Sequence, residues 1–92
     1  MRLPVSFTGD HNGEGLLTNL SLSGCRLEQP NTLIDQDAIL ALSFCASLRI
    51  FSVNINGAVV RWTKGPACGV EFFDVDHQAQ CRLERYIAEI RA

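Results

Sequence analysis

A chain of 92 residues, 47 % hydrophobic and 20 % charged, suffices for one small globular domain with a core of its own. A net charge of −2 excludes wholesale attraction to DNA, RNA or an anionic membrane, so a bound anion must be held by a local cluster of arginines. No run approaches the ~18 apolar residues needed to span a bilayer, and Met1-Arg2-Leu3-Pro4 lacks the apolar stretch of a signal peptide, so a cytoplasmic location is expected.

Val5 and Phe7 alternate with Ser6 and Thr8, the period of a half-buried strand. Asp10-His11-Asn12-Gly13 is a turn, because Asn and Gly tolerate positive φ. Leu16–Leu20 resumes an extended run, Ser21–Gly24 interrupts it, and Cys25–Glu28 is extended again until Pro30, which has no N–H to give a ladder. After the polar loop Gln29–Asp37, Leu40, Leu42 and Phe44 share one face of a strand. In the long run that follows, Leu48 and Ile50 change phase near Phe51, and Val53, Ile55, Gly57 and Val59 then hold one parity. Ala58, Val60 and Trp62 are apolar on the other. The second change of phase predicts a bulge or a sharp coil around Gly57, as a strand bends round a small barrel. Thr63–Pro66 is read as a turn and Cys68–Phe73 as the last strand.

The period then changes. Leu83, Tyr86, Ile87 and Ile90 fall on one stripe of an amphipathic helix over about 76–91, expected to lie on a mouth or flank of the strands. Asp74 or Asp76 caps its start. Six short strands and a closing helix, without βαβ alternation, make the chain a mainly all-β single domain. The expected form is a six-stranded antiparallel barrel over about 3–73, followed by the C-terminal helix.

Nothing in the sequence argues for catalysis. His11 sits in a turn and His77 at a helix start, and no nucleophile elbow, phosphate-cradling glycine loop or H-E-x-x-H is present. Cys25, Cys45, Cys68 and Cys81 form no C-x-x-C pair, and neither histidine stands at a finger-like distance from them. Free thiols and no metal site are therefore expected.

Asn19-Leu20-Ser21-Leu22-Ser23-Gly24 reads N-x-S-x-x-G between two strands. Such a stretch also suits a plain hairpin whose Asn and Ser bond their own backbone. With Gly57-Ala58-Val59-Val60-Arg61-Trp62, Gly69-Val70-Glu71-Phe72 and the helix Arg82–Ile87 in this order, it resembles the PilZ domain family across Arg2–Arg91. That resemblance implies a barrel that binds cyclic di-GMP, a bacterial second messenger, and relays its level to a partner.

Arg2 resembles the second arginine of the family's R-x-x-x-R element; the first would fall before Met1, so the chain as it stands carries half of that clamp. The implied binding set is Arg2, Asn19, Ser21, Gly24 and Trp62. Arginine pairs bidentately with phosphate or with the O6/N7 edge of guanine. Asn19 and Ser21 offer an amide and a hydroxyl, Gly24 lets the backbone turn without a Cβ, and Trp62 offers a stacking face or is a rim aromatic of the core. Arg26 and Arg61 are read as solvated strand residues. The alternative is a divergent adaptor of the same fold that binds a protein partner and no nucleotide.

Overall fold

The computed structural model describes residues 2–45 and 52–91. The strands β1 (Leu3–Gly9), β2 (Gly13–Thr18), β3 (Gly24–Glu28), β4 (Ile39–Cys45), β5 (Ser52–Lys64) and β6 (Ala67–Asp74) precede one helix, α1 (His77–Arg91). They form a closed antiparallel barrel in the order β1-β2-β3-β6-β5-β4, with β4 returning to β1. This is the architecture that the strand periods and the single helical stripe predict. Leu48, Ile50 and the change of phase near Phe51 lie outside the described residues.

Alternation sets the core. Val5, Phe7, Leu17, Leu27, Leu40, Leu42, Phe44, Val53 and Ile55 point inward, and Ala79, Leu83, Tyr86 and Ile87 of α1 join the same cluster. Apolar side chains removed from water in this way supply most of the drive to fold. The helix packs on β5, and Arg82 donates to the Ser52 carbonyl at 2.8 Å. Of the two candidate caps it is Asp76 that acts: its carboxylate accepts the Ala79 N–H at 2.8 Å, satisfying one of the donors a helix start leaves unpaired. The stripe is shorter than its period suggests, for Ile90 remains 43 % exposed.

The predicted phase change at Gly57 is present: between Ile55 and Ala58, β5 carries one residue more than the facing stretch of β4. A second bulge was not foreseen. Val60 pairs with Val70 and Trp62 with Gly69, so Arg61 is the extra residue. An inserted residue flips every side chain beyond it to the other face. Ala58 and Val60 are therefore fully buried while Trp62 is on the outer surface, 41 % exposed, and the three do not share a face as their parity suggested. Two other boundaries move. Gly13 opens β2 instead of closing the turn, and β2 ends at Thr18, so that Leu20 is buried from outside any strand. The β5–β6 hairpin turns on Gly65 and Pro66 alone, Gly65 taking φ +61°, while Thr63 and Lys64 remain in the ladder.

Candidate functional site

The stretch between β2 and β3 is built on two backbone requirements. Asn19 takes φ +49°, a left-handed conformation that Asn tolerates better than most residues. The Ser21 N–H donates to the Gly24 carbonyl at 2.9 Å. The Ser21 hydroxyl donates to the same carbonyl at 3.3 Å, accepts the Ser23 N–H at 3.3 Å and lies 3.2 Å from the Ser23 hydroxyl. Ser21 is thus first a turn-building residue.

Gly24 has a different reason from the one its place in the motif suggests. It does not take positive φ. Instead β3 runs so close to β6 that a Cβ there would strike the Val70 carbonyl oxygen, with the Val70 carbonyl carbon at 3.3 Å and Glu71 Cα at 3.4 Å. The Phe72 N–H donates to the Ser23 carbonyl at 2.8 Å and seals the approach.

The outer face of β3–β6–β5 continues from this turn. Arg26 is in register with Gly69, and Gly69 with Trp62. The missing side chain at Gly69 admits the Trp62 indole, which occupies the place a Cβ would take there. From the far strand, the Arg26 guanidinium carbon stands 5.7 Å from the Trp62 ring centroid, within the range of a cation–π contact. Arg61, the bulged residue, pairs with Glu71 at 3.0 Å. Hydrogen bonding and then the charge of that carboxylate push the guanidinium above its already high ordinary pKa.

These residues surround an open depression of about 340 Å³ lined by Asn19, Ser21, Gly24, Arg26, Arg61 and Trp62, among others. Four of the five residues proposed from sequence therefore stand around one concavity. Arg2 does not line it. It is exposed and precedes Leu3, which pairs with Leu17, so its backbone lies at the end of the barrel where β2 gives way to Asn19.

Arg26, Arg61, Gly69 and Glu71 were not singled out by sequence. Arg61 is exposed, in keeping with a solvated strand residue, but Arg26 is half-buried, and its Nε is shut off from solvent. Arg26 stands two residues beyond Gly24 and so shares its strand face, but only the pairing with β6 sets that face beside Trp62. Among the described residues no group of three or more His, Cys, Asp or Glu side chains is placed to hold a metal ion. None of the described helices is long and apolar enough to cross a membrane.

The family model of the PilZ domain matches residues 1–89. Among solved structures, the PilZ domain of CeSA from a cellulose-synthesizing bacterium superposes with a TM-score of 0.75 at 10 % sequence identity, covering 100 % of this chain and 95 % of that one. None of the curated proteins matches.

Proposed function

This chain belongs to the PilZ domain family, whose members are in general cyclic di-GMP-binding effector domains, and we propose that it is a receptor for that dinucleotide which relays its level to a partner. The observation that carries this reading is the convergence of Asn19, Ser21, Gly24 and Trp62 on one depression, though Trp62 lies more than thirty residues from the turn in sequence. In this reading Trp62 stacks a guanine, Asn19 and Ser21 bond base edges or phosphate oxygens, and Arg2 reaches over from the start of β1. The domain binds and does not catalyse, and it works in the cytoplasm.

One observation favours the adaptor reading instead: the Ser21 hydroxyl and the Arg61 guanidinium already have partners inside the protein, so the turn and its wall stand without a ligand. Calorimetric titration with cyclic di-GMP separates the two. The chain with a single clamp arginine should bind weakly, and a form extended to carry an arginine four positions before Arg2 should bind about one to two decades tighter. That gain corresponds to one bidentate contact of about 1–3 kcal/mol. If neither form responds to the dinucleotide, the adaptor reading replaces the receptor.

A further inference from the structure

Two arginines line the depression, and they are in different states. Arg61 is exposed, and its charge is taken up by Glu71 at 3.0 Å. Arg26 is half-buried, its guanidinium is held near the Trp62 ring, and its Nε is buried with no hydrogen-bond partner. Buried polar groups in folded proteins are nearly always satisfied, and an orphaned donor calls for an explanation. A donor on a guanidinium is the more costly kind to leave unmade, because bonds to charged groups are the strong ones.

We propose that Arg26 is a ligand-binding arginine of this depression: it takes a phosphate or the O6/N7 edge of a guanine that lies against Trp62. The inference rests on the receptor reading above and deepens it. It supplies a second cation from within the barrel, where Arg2 is a terminal one. Geometry supports the assignment from three sides. Arg26 is fixed in register by its pairing with Gly69. The cation–π contact holds its guanidinium beside the aromatic face before any ligand arrives, so less ordering is required on binding. Its planar fork suits either acceptor set, as a lysine ammonium does not.

The test titrates cyclic di-GMP into whichever of the two forms, the chain or its arginine-extended version, binds it, with Arg26→Ala, Arg26→Lys and Arg85→Ala made in that form. Calorimetry gives the affinity, the emission of Trp62 reports the site, and melting curves report folding. Arg26→Ala should weaken binding roughly 5- to 150-fold. Arg26→Lys, which keeps the stem and the charge but not the fork, should also fall at least fivefold, and it carries the test if the alanine variant unfolds. Arg85→Ala, on the exposed face of α1, should stay within about twofold of the parent. Parent-like affinity in a folded Arg26→Ala or Arg26→Lys variant overturns the assignment and leaves the receptor reading standing. Failure of both parent forms to bind overturns the two together.

Discussion

Trp62 and Gly69 face each other across the β5–β6 ladder, and the indole rests where a side chain at residue 69 would have to be. A Cβ at that position would meet three atoms of the ring, Cζ2 at 2.8 Å among them. The β6 backbone is fixed by neighbours on both sides, while the ring is the outer end of a side chain, so Gly69→Ala should evict the ring and not part the strands. Trp62 is the only tryptophan, which makes the outcome readable. Emission should shift to the red and the near-ultraviolet circular dichroism should weaken, with a stability loss of about 1 kcal/mol, the usual size for a single substitution. Unchanged emission with a large fall in melting temperature would show the opposite division of movement.

Gly24→Ala should behave in the reverse way. Its Cβ would meet backbone, the Val70 carbonyl, and no side chain can step aside. Overpacking of this kind costs about 1–3 kcal/mol, expected as a lower denaturation midpoint at unchanged slope. Ser21→Ala, which removes a hydroxyl bonded only within the turn, should cost about 0.5–1.5 kcal/mol. A loss well under about 1 kcal/mol for Gly24→Ala would argue against the close β3–β6 approach.

On the helix, Leu83 is fully buried and Ile90 is 43 % exposed. Leu83→Ala should therefore cost about 2–5 kcal/mol and Ile90→Ala about 0.5 kcal/mol or less. Chemical denaturation of the two variants checks this. Comparable losses would mean that the last turn packs on something the free domain lacks.

The thiols divide into a buried pair, Cys25 and Cys68, and an exposed pair, Cys45 and Cys81. Burial pushes Cys25 from 9.0 up to about 12, with the Cys68 thiol adding to the effect, and pushes Cys68 up to about 11. Between pH 9 and those values the unfolded chain releases thiol protons that the folded chain keeps. The contribution is whole below pH 9 and is lost as pH climbs through the window. Stability should fall with pH above 9, less steeply in Cys25→Ala than in the parent. At pH 8 a thiol reagent should modify Cys45 and Cys81 quickly, and the other two only on unfolding. Four equal rates, or equal alkaline slopes, would contradict the buried placement.

Most of the barrel could be read from the chain because one face of each strand is apolar, and period two leaves little choice of register. Val5 with Phe7, and Leu40 with Leu42 and Phe44, illustrate it. The second bulge escaped because alternation through Val60 and Trp62 looks uninterrupted. Counting back from the Gly65-Pro66 turn would have exposed it: an unbulged ladder starting at Lys64 and Ala67 sets Arg61 opposite Val70, aimed into the core. The bulge lifts that charge out and sets Val60 opposite Val70 in its place, while Trp62 keeps its partner Gly69 and its place on the outer face. In the site, the turn residues were legible from their types, since Asn and Ser at those spacings bond their own backbone. Arg26 was not, because a lone arginine on a strand looks solvated until the strand beside it is known. That neighbour, β6, lies some forty residues further along the chain, a distance that no local pattern spans.

The closed ring has one further consequence. Every described strand has a hydrogen-bonded neighbour on each side over part of its length, so among the described residues the backbone left for a visiting segment to extend is confined to short strand ends, such as the start of β5. Recognition by strand addition needs an exposed sheet edge, and the ring offers a peptide little of one. A partner on the paired part of the ring therefore meets side chains, on the outer wall or at the rim. The domain's choice of partner is then written in residues that can be exchanged one at a time without disturbing the ladder, which leaves the same scaffold free to acquire new partners while its hydrogen bonding stays as it is.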